Sequence, residues 1–237
     1  MLTAPLLTAT RLVGALVVLK AVDVAVRGPQ ALPGPVWLLV LAGWTGSGLA
    51  LAAGRPALQR AAWAGVLVAG TALAVDAPLE LRRQHLVLLL GVALAGLVSR
   101  DDDERRLLWR TQLSALYGVA ALAKLNEGFL GGDVLAGAFS TGPLAVLPPP
   151  ALLVPAGVAL VLTEAALAVL LWLPRWRTAA VALAVALHGS ALLVASADLL
   201  VGLRLVVFGG TAVAVCAACA RRPTARRQDA APVPSAQ

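Results

Sequence analysis

RTQLSALYGVAALAKLNEGFLGGDVL, residues 110–135, is the stretch on which the reading of this chain turns. From Leu107 to Leu125 the run is long enough to cross a bilayer, at about 1.5 Å per residue against a hydrocarbon core of roughly 30 Å. Lys124 therefore sits near one membrane face. Tyr117, Ala121 and Lys124 are spaced by four and three, so they share a helical face with a small residue between two polar ones. That spacing predicts something polar opposite them. Two readings of Lys124 stand side by side. Its head can snorkel into the headgroup layer. Alternatively, a poorly hydrated pocket strips a lysine of its proton and leaves a neutral amine able to act as a base at pH 7.

The rest of the chain is of the same kind. It has 60% hydrophobic and 13% charged residues over 237 positions and a mean hydropathy of +0.88, which leaves too little polar surface to cover a soluble globule. Apolar runs of about 20 residues, without ten-residue alternation, select helices over an outer-membrane barrel. The fold expected is an all-α integral membrane protein, a compact bundle of about eight transmembrane helices, with the lipid bilayer as its first partner. The net charge of +7 comes from basic residues clustered between apolar runs, so they read as topology signals and no nucleic acid is expected.

Eight spans are expected, at roughly 5–26, 36–54, 58–76, 84–99, 107–125, 151–173, 177–197 and 199–220. Arg11, Lys20 and Asp23 interrupt the first, and no cleavage site follows it, so it is expected to be retained. Residues 1–220 form the transmembrane domain, and 221–237 a basic, disordered cytoplasmic tail. One set of connections holds Arg55, Arg60, Arg100, Arg105, Arg106, Arg110, Arg175, Arg177, Arg221, Arg222, Arg226 and Arg227; the other holds Arg27, Arg82 and Arg83. This asymmetry predicts a multi-pass protein of the plasma (cytoplasmic) membrane with both termini cytoplasmic. The RDDDERR segment, 100–106, reads as a solvated turn. The 126–150 segment falls outside, with FLGGDVLAGAF able to form a short interfacial helix and GPLAVLPPP ending it. A connection that long in a compact bundle is often functional.

Ionisable residues inside spans are costly, so each is a candidate site, with a structural ion pair as the alternative. Lys20, Asp23, Asp76, His85, Lys124, His188 and Arg204 fall on the outer half, Glu164 near mid-membrane, and Arg11 and Arg110 on the cytoplasmic side. Glu164 and His188 cannot reach water easily by snorkelling, which ranks them next after Lys124. No metal is implied, because His85 and His188 lack HxxxH or HxxE spacing and a nearby lysine disfavours a cation. Cys216 and Cys219, three apart, read as a redox pair or as packing residues.

The order His85, Tyr117 to Lys124 followed by Leu125 and Asn126, then Gly132, Glu164 and His188 resembles the horizontally transferred transmembrane (HTTM) domain family, to which the membrane part of vitamin K-dependent γ-glutamyl carboxylase is related. RTQLSALYGVAALAKLNEGFLGG is similar to that family's Arg-x-Gln, then Tyr, then Lys-Leu seven residues on, an aromatic and Gly. Glu164 precedes His188 by the 24 positions that separate an acidic residue from a family histidine. RQHLVLLLG resembles the start of the helix bearing another. The likeness spans most of the chain and is strongest from 84 to 190.

The resemblance implies that Lys124 is a base acting on a reduced quinone (vitamin K or menaquinone type) at the outer membrane half. It makes His85 an assisting histidine. The candidate site then has Lys124, His85 and His188 as catalytic residues, with His85 a proton carrier, and Tyr117, Glu164, Asn126 and Arg204 as its pocket. The chemistry implied is that of a carboxylase-like, quinone-dependent lyase or oxidoreductase. Ala123 stands where the carboxylase has a second lysine, and GSALLVAS after His188 lacks its Asn-Ser and aromatic pattern. The chain also ends shortly after the last span, without the soluble domain that docks a protein substrate, so glutamyl carboxylation of a protein is not expected from this chain alone. A separate soluble partner protein would restore that function. The rival reading is a non-enzymatic transporter or partner-binding membrane subunit whose polar residues line a path or lock the bundle.

Overall fold

Proline and glycine punctuate the apolar runs, and the helices begin and end where they fall. In the computed structural model, which describes residues 4–76, 84–141, 148–194 and 199–220, α1 spans Ala4–Arg27, α2 Gly34–Ala53 and α3 Gln59–Asp76. They are followed by α4 Gln84–Val98, α5 Asp102–Ala123, the short α6 Glu127–Leu130 and α7 Asp133–Thr141, then α8 Pro150–Leu170, α9 Arg177–Val194 and α10 Leu199–Ala220. Proline occupies the first turn of both α2 and α8, where a missing N–H costs nothing. Gly54 closes α2 in the left-handed conformation, φ 66°.

Five stretches are long and apolar enough to cross a membrane: Gly34–Ala53, Pro56–Asp76, Pro150–Leu170, Pro174–Val194 and Val201–Ala220. With no strand among the described residues, the chain is an all-helical membrane protein. Its surface is the reverse of a soluble one. Leu39 is 74% and Val68 71% exposed, while Lys20 is 1% exposed and Asp23 fully buried. Outward leucine and valine suit lipid, and buried charge persists only where it is paired.

α1 packs on α2 and α10, α2 on α3, α3 on α4, α5 on α8, and α9 on α10. Large aromatics bolt neighbours together. Trp44 Nε1 donates to the Val17 carbonyl at 2.7 Å, and Trp109 Nε1 to that of Val92 at 3.1 Å. Small residues let the backbones approach: a Cβ at Gly14 would lie 2.7 Å from the Gly48 carbonyl oxygen and 2.8 Å from Leu51 Cβ, so α1 and α2 close only because position 14 has no side chain.

Two expectations for the connections change. RDDDERR is not a solvated turn: Asp101 caps α5 by accepting from the N–H groups of Asp103 and Glu104, and Glu104 accepts from the N–H of Arg100 at 2.6 Å. This cap, with three acids in the first turn, extends α5 back to Asp102. Arg105 is buried there and donates to Ser99 Oγ at 2.9 Å. FLGGDVLAGAF is not one helix either. Gly132, at φ 93°, breaks it into α6 and α7, and a Cβ there would meet Leu153 Cβ at 2.7 Å. The expected tail from 221, Arg82 and Arg83 lie outside the described residues.

Candidate functional site

α5 ends at Ala123, and Lys124 is its C-cap. At that position the ammonium meets the negative end of the helix dipole, and Nζ lies 3.4 Å from the Ala120 carbonyl. The polar group expected opposite is Glu164 on α8: Lys124 Nζ donates to both carboxylate oxygens at 2.8 Å. The side chains are 24% and 10% exposed, so the pair is partly open. The Phe129 ring of α6 lies 5.7 Å from Nζ, presenting its electron-rich face to the cation.

Two turns back along α5, about 10 Å by helical rise, Tyr117 is buried and its hydroxyl shares a 2.8 Å hydrogen bond with His188 Nε2 on α9. The His188 ring meets Phe208 of α10 edge to face at 5.2 Å, which holds the imidazole towards α5. α5, α8 and α9 thus gather Lys124, Glu164, Tyr117 and His188 into two adjacent polar pairs. One is an ion pair; the other can accept and pass a proton, since both members carry an exchangeable hydrogen or a lone pair.

The other expected residues lie differently. Asn126 is spent on local structure: Oδ1 accepts from the Phe129 N–H at 2.9 Å and Nδ2 donates to the Ala123 carbonyl at 2.8 Å. It caps α6 and so sets the position of Phe129. Arg204 donates from Nε to Asp23 Oδ1 at 2.9 Å. His85 lies in the first turn of α4, and its side chain lies outside the described residues. Among the described residues no group of His, Cys, Asp or Glu is arranged to hold a metal.

Asp23 is the centre of a second cluster. Its Oδ2 accepts from Lys20 and, at 2.9 Å, from Arg27 Nη2, while Oδ1 takes Arg204. Spacings of three and four on α1 put Lys20, Asp23 and Arg27 on one face, and that signal was available in the sequence; the arrival of Arg204 from α10 was not. Beside it, Asp76 Oδ1 accepts the N–H groups of Gln30, Ala31 and Leu32 at 3.1, 2.8 and 2.7 Å, fastening the α1–α2 turn to α3. Lys20, Arg27, Asp76 and Gln30 line a cavity of about 20 Å³, room for one water.

Cys216 and Cys219 are both buried and free. Cys219 Sγ donates to the Arg106 carbonyl at 3.4 Å, a packing contact between α10 and α5.

Compared with family models, curated proteins and solved structures, the chain matches none.

Proposed function

We propose that this chain is an HTTM-type protein of the cytoplasmic membrane, crossing it about eight times with both termini inside. Its outward polar site, in this reading, binds a reduced quinone-like lipid and takes a proton from it. The observation that carries the reading is the pairing of Lys124 with Glu164 two turns from the Tyr117–His188 hydrogen bond. Four residues separated by up to 71 positions converge on three helices, and charged groups at such depth are retained for function more often than for packing.

The donor set fits a quinone headgroup. Lys124 and Tyr117 are polar groups about 10 Å apart along one helix, which suits a flat ring with an oxygen at each end. Phe129 and Phe208 supply apolar walls. Bound there, the quinol would contribute an acidic hydroxyl and a two-electron redox couple. Glu164 would take the proton that Lys124 donates to it, leaving a neutral amine to receive the quinol's, His188 would orient the Tyr117 hydroxyl, and the partial exposure of Lys124 would admit the ring from the lipid side.

The test is the thermal stability of the detergent-purified protein with reduced menaquinone, comparing wild type with Lys124→Met. A ligand at 100 times its dissociation constant adds about 2.7 kcal/mol, so wild type should show a clear upward shift that the variant lacks. No shift in either protein, or an equal shift in both, overturns the quinone reading.

One observation favours the non-enzymatic reading, a transporter or a subunit that binds a partner: Lys124 and Glu164 satisfy each other, as they would in a bundle lock. Under that reading reduced menaquinone would leave the melting temperature of wild type, as well as that of the Lys124→Met, Glu164→Gln double variant, unchanged.

A further inference from the structure

Tyr117 is 1% exposed, and among the described residues its hydroxyl has one partner, His188 Nε2 at 2.8 Å. A buried O–H without an acceptor is costly, so the hydroxyl donates and Nε2 accepts. In a neutral imidazole one nitrogen accepts and the other carries the hydrogen. Accepting at Nε2 therefore leaves the hydrogen of His188 on Nδ1.

The ring has little room to turn and hide that hydrogen. Phe208 meets it edge to face at 5.2 Å. A Cβ at Gly209 would lie 2.7 Å from His188 Cβ and 3.0 Å from Cγ, so α10 closes on the imidazole only because position 209 has no side chain. Nδ1 has no hydrogen-bond partner among the described residues, and it is not one of the sealed polar atoms. The ring is partly exposed, and Gly189 and Ser190 beside it on α9 are fully so. His188 lies inside the spanning stretch Pro174–Val194, where hydrocarbon offers no water to accept from it. An acceptor for this hydrogen has to arrive on a hydrophobic molecule.

We propose that His188 Nδ1–H is a ligand-binding donor for a carbonyl oxygen carried by a hydrophobic molecule. Tyr117 and Gly209 are its positioning residues: the first fixes which nitrogen carries the hydrogen, the second where the ring lies. A carbonyl accepts and brings no hydrogen of its own, so it complements this nitrogen, and the oxidised partner of the quinol proposed above has two on an apolar ring. The identity of the ligand rests on the quinone reading; the donor does not.

The experiment uses the full chain in detergent, with its histidines labelled at the ring nitrogens for NMR. The chain has two histidines, and the His188 signals are those missing from His188→Gln. Wild-type His188 should be the Nδ1–H tautomer, and Tyr117→Phe should turn it into a mixture. Oxidised menaquinone should move the Nδ1 signal. Methylnaphthalene, which has the ring without the carbonyls, should not move it, and neither should phosphatidylglycerol, whose esters also carry carbonyls. Gly209→Ala should diminish the menaquinone response. The wild-type tautomer and its response need no variant beyond the assignment, so they serve if Tyr117→Phe or Gly209→Ala does not fold. An Nε2–H tautomer in wild type, an Nδ1 signal that menaquinone leaves in place, or one that methylnaphthalene moves equally would overturn the site. An equal movement with phosphatidylglycerol would keep the donor and overturn its assignment to quinone. If reduced menaquinone stabilises wild type but not Lys124→Met while Nδ1 stays unmoved, this inference falls and the quinone reading stands. Movement of Nδ1 without that stabilisation gives the reverse.

Discussion

Lys124 and Glu164 stand 40 residues apart in sequence, and one ammonium group bridges both oxygens of one carboxylate at 2.8 Å. Each is the other's counter-charge, so the consequences of removing one differ from those of removing both. Lys124→Met alone leaves Glu164 largely buried without a cation and should cost about 1–3 kcal/mol, less than a fully buried pair because Lys124 is partly exposed. The double variant Lys124→Met, Glu164→Gln should recover most of that loss. Melting temperatures of the two single variants and the double one, compared as a cycle, measure the coupling.

Asp23→Asn should be among the most damaging substitutions in the chain. One carboxylate, fully buried, takes Lys20, Arg27 and Arg204, and its neutralisation removes the counter-charge that all three share, at a cost of about 3–5 kcal/mol. The expected outcome is loss of monodisperse protein on size-exclusion chromatography. Arg204→Met removes one cation of three and should leave the protein soluble in detergent.

Tyr117→Phe deletes the hydroxyl that meets His188 at 2.8 Å. Leaving the imidazole nitrogen without that partner should cost about 1–2 kcal/mol. If the site holds a quinone, the stabilisation that reduced menaquinone confers should shrink as well. Thermal melts with and without the lipid read both effects at once.

Asp76→Ala releases three backbone amides, those of Gln30, Ala31 and Leu32, from one carboxylate oxygen. The α1–α2 turn should then exchange its amide hydrogens far faster while α5 and α8 are unchanged. Hydrogen-exchange mass spectrometry of peptides covering 28–33 checks this. A turn that stays protected would show that Asp76 is not what holds it.

Much of the site was legible because helical spacing is a local property. Tyr117 and Lys124 had to share a face, and Lys20, Asp23 and Arg27 as well, whatever surrounded them. The partner of each face was not legible. Charge sign required an acid opposite Lys124 and a cation opposite Asp23, but nothing in the local sequence said that Glu164, and not Asp23 or Asp76, would meet Lys124, or that Arg204 would reach Asp23. Asn126 was drawn into the pocket by its nearness to Lys124, whereas the start of α6 claimed its side chain as a cap. The RDDDERR segment misled because its charge density resembles a solvated loop, although Asp101 and Glu104 also stand at capping positions.

The sequence by itself determined that the chain is helical and lives in a membrane, because its supply of apolar residues exceeds what any soluble core can hide and its runs have the length of a bilayer. It also determined which side chains could not be left alone there. Only the tertiary structure decided which of them pair: charges in a low-dielectric bundle interact over a few ångströms and in three dimensions, so Glu164 reaches Lys124 because α8 packs along α5, and Arg204 reaches Asp23 because α10 packs on α1.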